Sequence, residues 1–448
     1  MDTRKKMILI IILLSYFITA IDGSIVITGL TKIVEDLKLT HTTLSWVQNA
    51  YILAFGGFML MGGSLGDTFG RKRMFNLSLL LFGIGSLGAG VAQNANYMIV
   101  SRFLQGIGAA ILAPTSLALI MDYFEDKERV KVVAWYGSIS GLGLCIGLIV
   151  GGVITSYSSW RDGFLINIPI IAGMFFLSLK YLENENIKKF KFDLSGTLFS
   201  VTGVFCILYA IDGATQIIKW LVGGIVLLVI FVINESKSPM PIMPLRLFAE
   251  SDRRNAYIAR ALLIAALMGY NFFISEWMQV EFHYTPLLTG CAFFPMTITT
   301  FIGAIKVPAL ICRYGNKRVL TFGFILLVLG FCCLLLSDKN STYLYGIGIP
   351  MIFIGFGQGL AMSPLTNLGL INVEHKDAGA ASGLVNISHQ IGGALGLSTM
   401  VAASNGMDNI SDRFHTGMIV ALICIILALC CFTISWIKHI SIHKKYII

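Results

Sequence analysis

Charge is scarce in this chain. Only 13% of its 448 residues are Asp, Glu, Lys or Arg, while 56% are hydrophobic. That shortage excludes an ordinary soluble globular protein, whose surface needs roughly a quarter of its residues charged. Long polar stretches are also missing: the longest, about Glu235–Asn255, is a Pro-containing linker, and a second runs about Glu183–Asp193. No soluble domain is therefore expected. The cysteines show no metal-ligand spacing: all nine lie in or at the edges of apolar runs. Of the seven histidines only His439 and His443 stand as an HxxxH pair, which by itself is not a metal site. The cysteines read as small hydrophobes, not disulfides or zinc ligands. No Walker loop, dinucleotide fingerprint or catalytic triad occurs, so no catalytic residue, metal or cofactor is expected. ATP-driven transport would need a partner subunit.

What is present is apolar sequence in bilayer-sized pieces. Runs at about 8–30, 44–65, 74–92, 98–121, 132–154, 164–182, 195–212, 217–234, 256–279, 288–310, 319–337, 344–370, 380–403 and 415–437 predict an all-α polytopic membrane protein of 14 transmembrane helices. The first run follows Arg4-Lys5-Lys6 but is too long for a signal-peptide core and lacks a cleavage site, so it reads as a retained helix. The high glycine count, 46, suits close helix packing in lipid.

The net charge of +9 is distributed by side. With the N-terminus cytoplasmic, the inner segments hold 23 Lys and Arg and the outer loops 6. The positive-inside rule predicts this bias, and a miscounted helix would scramble it, so both termini are expected in the cytoplasm. An anionic membrane surface accounts for the basic balance, and no nucleic-acid partner is expected.

Between the second and third runs lies Gly63-Ser64-Leu65-Gly66-Asp67-Thr68-Phe69-Gly70-Arg71-Lys72-Arg73, a charged turn at the cytoplasmic face. Phe69-Gly70-Arg71-Lys72-Arg73 is echoed by Tyr314-Gly315-Asn316-Lys317-Arg318. Gly137-Ser-Ile-Ser-Gly141 is echoed by Gly379-Ala-Ala-Ser-Gly383, at a nearly equal offset. Two repeated halves with a site between them are the architecture of secondary transporters. The expected organisation is an N-terminal six-helix bundle (1–182), two inserted helices with cytoplasmic linkers (183–255) and a C-terminal six-helix bundle (256–448). The second copy has Cys312 where the first has Asp67, so an acid–base pair is expected in one half only.

The charged turn, Gly63-x-Leu65-Gly66-Asp67-x-x-Gly70-Arg71-Lys72, resembles the signature loop of the major facilitator superfamily. Arg102-x-x-Gln105-Gly106-x-Gly108-Ala109-Ala110 is similar to a second superfamily signature. Gly141-x-Gly143-x-x-x-Gly147-x-x-x-Gly151-Gly152 is similar to the antiporter signature. Asp22-Gly23-Ser24 in the first helix, with Trp160-Arg161 and Asn167-x-Pro169 entering the sixth, resembles the fourteen-helix drug:proton antiporters, the branch of bacterial multidrug and quinolone efflux pumps. Departures are Thr68 after the turn's acid, Leu148 in place of a proline, Asp162-Gly163 in place of an aromatic pair, and the acid Glu276 in an otherwise apolar stretch. Leu148 removes the proline bend that the resemblance would give the fifth helix.

The resemblance implies a monomeric, proton-coupled antiporter of the bacterial cytoplasmic membrane. It would export amphipathic cationic or zwitterionic drugs, quinolones and dyes among them, by alternating access. Export of an endogenous metabolite or lipid-like molecule, or a non-transporting sensor, are the alternatives. Asp22 lies about fifteen residues into its helix, roughly 22 Å of rise, where a carboxylate is costly unless it faces a cavity. Asp22, Glu276 and Arg102 are the proton-coupling candidates. Asp67, Arg71, Gly63 and Gly70 form the gate, with Asp67 and Arg71 paired across the turn. Tyr51, Tyr136, Trp277, Met278, Gln279 and Phe294 are candidate cavity residues. Gly141, Gly143, Gly147, Gly151 and Gly152 permit close approach of the fifth helix to a partner.

Overall fold

A computed structural model describes residues 2–183, 194–213, 215–238, 241, 243–338, 341–374 and 377–445; inside the helices, the side chains of Asp67, of 137–142 and of 433–445, among others, lie outside the described set. Among the described residues every element is helical. Among those residues ten helices are long and apolar enough to cross a membrane.

The chain divides into two compact units. The first comprises Met1–Ala210, Ala214–Ile242 and Met278–Cys291. It holds α1 (Thr3–Leu37), α2 (His41–Phe69), α3 (Arg71–Gly90), α4 (Ala95–Tyr123), α5 (Asp126–Tyr157), α6 (Trp160–Leu165), α7 (Asn167–Tyr181), α8 (Leu194–Ile211) and α9 (Ile217–Lys237). At 35 residues α1 rises roughly 52 Å, more than the ~30 Å hydrocarbon core. Its surplus turns carry the charges, Arg4 and Lys5 at one end and Glu35 and Asp36 at the other. The run expected at 164–182 is broken: α6 ends at Leu165 and α7 restarts at Asn167, with Pro169 in the first turn, where its missing N–H costs nothing.

Within this unit α2 and α3 pack against α4, and α1 packs against α5. The α1–α5 contact is a matched row of small residues. A Cβ on Gly143, Gly147 or Gly151 would lie 2.7 Å from Ala20 Cβ, 2.8 Å from Ser24 Cβ and 2.8 Å from Thr28 Oγ1. Both rows step by four residues in the same chain direction, so the helices run parallel with their backbones in near contact, the small-xxx-small geometry that dispersion favours in lipid. Helix α9 has few buried residues, Gly224, Phe231 and Glu235 among them. Its apolar surface is otherwise open, as suits a helix that faces acyl chains.

The second unit comprises Ile211–Gly213, Met243–Trp277 and Ala292–Ile448. It contains most of α10 (Ser251–Val280), then α12 (Phe294–Leu335), α13 (Ile349–Gly369), α14 (Ala378–Ala403) and α15 (Ile410–Lys445); the short α11 (Pro286–Ala292) belongs mainly to the first unit. The runs expected at 288–310 and 319–337 meet in one 42-residue helix, α12, interrupted only by Gly315 at φ 80°, ψ 158°. Gly70, its counterpart between α2 and α3, has φ 92°. Both repeats therefore turn on a backbone conformation that a side chain disfavours.

Candidate functional site

The densest buried polar cluster among the described residues surrounds Asp22. The Asp22 carboxylate has no exposure and the Arg102 side chain 1%, and the two form an ion pair through Oδ2 and Nη1. Five elements supply the shell. From α4, one helical turn beyond Arg102, Gln105 Nε2 donates to Asp22 Oδ1 and, at 2.7 Å, to Ser86 Oγ of α3. From the start of α7, Asn167 Nδ2 donates to Asp22 Oδ1 at 3.4 Å and to Ser86 Oγ at 3.1 Å. Arg102 Nη1 also donates to Gln105 Oε1 at 2.6 Å, and its Nε donates to the Val47 carbonyl of α2 at 3.2 Å. The guanidinium lies 4.4 Å from the Tyr51 ring centroid and 5.6 Å from that of Phe164. Every face of the pair is thus a hydrogen-bond partner or an aromatic ring, the condition under which a buried ion pair is tolerated.

Asp22, Arg102 and Tyr51 are brought together as candidates of one site. Gln105, Asn167 and Ser86 were not singled out. Gln105 and Asn167 stand in quoted motifs, but Ser86 is a lone serine in an apolar run and gives no signal in the sequence. A cavity of about 320 Å³, lined by residues that include Trp46, Ala50, Leu53, Phe103, Val201 and Phe205, lies between α2, α4 and α8, and no member of the Asp22 cluster lines it. Its wall is apolar apart from Thr202.

The other coupling candidate, Glu276 of α10, is buried in the second unit, with Arg413 of α15 at 3.5 Å. Next to it, Trp277 stacks on Phe414 with centroids 4.2 Å apart. Met278 is fully buried. Gln279 accepts from Thr31 of α1. Tyr136 of α5 stacks on Tyr16 of α1 at 4.4 Å. Phe294 is 38% exposed at the start of α12. Gly152 faces α11, where a Cβ would lie 2.7 Å from the Pro286 carbonyl oxygen. The side chain of Asp67 and the surroundings of Gly141 lie outside the described residues.

At the charged turn, Arg71 pairs with Asp122 at the end of α4, an acid that stands in no motif of the sequence, and Nη1 also donates to the Ala118 carbonyl at 3.0 Å. Lys72 donates to the carbonyls of Leu179 and Leu182 at the end of α7, at 3.0 and 2.7 Å. Gly70 supplies the turn, and a Cβ on Gly63 would lie 3.7 Å from Pro114 Cβ of α4. The expectation of an acid–base pair in one half only is corrected in the second unit. Lys317 pairs with Asp252 at 2.8 Å. The acid comes from the first turn of α10 rather than from the position equivalent to Asp67, so comparing the two loops could not reveal it.

Comparison with known proteins fits this geometry. The family model described as Major Facilitator Superfamily matches residues 12–397. Puromycin resistance protein pur8 of Streptomyces alboniger is 34% identical over 417 residues, covering 90% of this chain and 83% of its own. Cephamycin export protein CmcT of Amycolatopsis lactamdurans is 31% identical over 403 residues, covering 87% and 83%. Among solved structures, the POT family transporter PepTSo aligns with a TM-score of 0.72 at 13% identity, over 96% of this chain and 98% of its own.

Proposed function

The chain belongs to the major facilitator superfamily, and on that footing we propose that it is a proton-coupled antiporter that exports amphipathic drugs. It is a multi-pass protein of the bacterial cytoplasmic membrane. The relatives named for puromycin resistance and cephamycin export support a drug cargo. Quinolones and dyes, cationic or zwitterionic, are the substrates proposed. The full architecture in this reading is fourteen spans, as two six-helix bundles (1–182 and 256–448) and an inserted pair (183–255), with both termini cytoplasmic. It works as a monomer, without cofactor, on the proton gradient.

The observation that carries the coupling is the closed network around Asp22. A carboxylate with no exposure, in a helix long enough to span the bilayer, is held by Arg102, Gln105 and Asn167. Protonating it removes its charge and one acceptor, and leaves Arg102 with Gln105, the Val47 carbonyl and two rings. The pair is thus a two-state element that a proton biases, and helices α1, α4 and α7 meet on it. Substrate occupancy and protonation compete, so proton entry from outside drives release. Glu276 serves as a second acid, and of the cavity candidates Tyr136 and Phe294 keep surface to offer a substrate, while Tyr51, Trp277, Met278 and Gln279 are packed away. Asp67, Arg71, Gly63 and Gly70 gate the cytoplasmic side.

Everted vesicles containing the full-length protein test this. Uptake of ethidium or a quinolone should follow an imposed pH gradient, collapse with an uncoupler, and disappear in Asp22→Asn. Full gradient-dependent uptake by Asp22→Asn would refute the coupling role.

A further inference from the structure

The second unit holds a basic, hydrogen-bonding cluster that the proton-coupling scheme leaves unused. Its floor is set by helix packing. A Cβ on Gly392 or Gly396 of α14 would lie 2.5 and 2.3 Å from the Cα atoms of Ala261 and Ala265 of α10. The equal four-residue steps run in the same direction, so α10 and α14 are parallel, with Ala261 level with Gly392. Arg260 and His389 sit immediately beside this crossing, at heights that differ by about two residues, roughly 3 Å. The His389 ring lies close enough to Arg260 to feel its charge.

Arg260 is 8% exposed, nine residues into α10, and its Nη1 donates to Thr366 Oγ1 at 2.9 Å and to the Met362 carbonyl of α13 at 3.3 Å. One turn along that face of α13, Gln358 carries a buried Oε1 with no hydrogen-bond partner. His389 makes no hydrogen bond among the described residues, although it is only half-buried. It continues a polar stripe of α14, Ser382, Asn386, His389 and Gln390, at spacings of four, three and one, which keeps all four within about 100° of one helix face. A guanidinium in a spanning helix costs about 2.5–3.5 kcal/mol on insertion scales and is found facing a bundle interior or watered cavity. His389, with no hydrogen-bond partner among the described residues, has a ring N–H to offer an anionic ligand, whereas the Gln358 Oε1 is an acceptor and calls for a donor.

We propose that Arg260 and His389 form a recognition site for an anionic group, a carboxylate above all, on the transported molecule. This rests on the export function proposed above and narrows its cargo: among amphipathic substrates it favours zwitterions over pure cations. Arg260 supplies a planar fork that matches a carboxylate, and His389 supplies an N–H from α14.

The test uses the full-length protein in detergent, with ciprofloxacin (amine and carboxylate) and its methyl ester (amine only) as probes, binding followed by calorimetry, and uptake followed in everted vesicles. The wild type should bind the acid about tenfold more tightly than the ester. Arg260→Gln should bring that ratio near one while leaving ester affinity unchanged, which also shows that the variant is folded. His389→Arg should raise the ratio, an outcome that misfolding cannot mimic. A wild type that takes up acid and ester alike, or variants that keep the wild-type ratio, would overturn the anion site and leave the export function intact. Vesicles that accumulate neither probe, nor ethidium, would overturn the export function and this inference with it.

Discussion

At the scale of single residues, the Asp22–Arg102 pair has consequences that separate folding from function. Both groups are at most 1% exposed. Removing one partner strands the other in a low-dielectric interior, which costs about 3–5 kcal/mol. Arg102→Ala is therefore expected to express poorly, with a thermal midpoint several degrees lower. Asp22→Asn alone keeps Arg102 bonded to Gln105 and Val47. The double variant Asp22→Asn/Arg102→Gln restores a neutral network, so its midpoint should recover towards the wild type while gradient-driven export stays absent. Thermal unfolding in detergent and vesicle uptake measure the two quantities independently. If the double variant were as unstable as Arg102→Ala, the loss would come from packing on Tyr51 and Phe164 rather than from a stranded charge.

At the scale of helices, the α1–α5 row makes a directional prediction. Gly147→Val places a branched side chain where even a Cβ lies 2.8 Å from Ser24 Cβ and 2.9 Å from Ile21 Cα. The helices must part, at a cost of about 1–3 kcal/mol. The partner position can compensate: Ser24→Gly should recover part of the loss in a double-mutant cycle read by thermal unfolding. The loop that leaves α8 gives a second case. Asp212 stands just beyond the helix, and burial pushes its carboxyl up to about 6, against a smaller opposing effect from the Ser398 hydroxyl. A carboxyl raised in the folded state stabilises the fold at acid pH and loses that contribution as pH rises through about 6. Asp212→Asn, which stays neutral, should therefore stabilise the protein at pH 7.5 on the order of 2 kcal/mol relative to wild type. At pH 4 it should change little. A midpoint difference independent of pH would show that Asp212 stays charged in the folded protein.

At the scale of the whole molecule, the sequence made some things legible and hid others for physical reasons. Apolar run length located the helical segments because a bilayer-sized run is a local property. The positive φ at Gly70 and Gly315 was implicit in a repeated glycine. Asp122 and Asp252 were invisible as latch partners because a salt bridge joins residues far apart in sequence, and nothing in either loop names its acid. Their placement makes the two latches unequal. Arg71 opens α3 and Asp122 lies one residue from the end of α4, so each charge opposes the dipole of its own helix and the pair relieves both. Asp252 sits in the first turn of α10, where the dipole favours it even without Lys317. Breaking the first latch should consequently matter more. Both pairs are partly exposed, so each contributes under about 1 kcal/mol to stability, and thermal midpoints should barely move. Arg71→Gln should slow vesicle uptake severalfold and Lys317→Gln much less. The exchange Arg71→Asp/Asp122→Arg puts both charges on dipole-favoured ends and restores the pair, so it should recover transport. Equal losses for Arg71→Gln and Lys317→Gln, or no recovery in the exchange, would mean that these bases only anchor the helix ends at the membrane surface and do not gate.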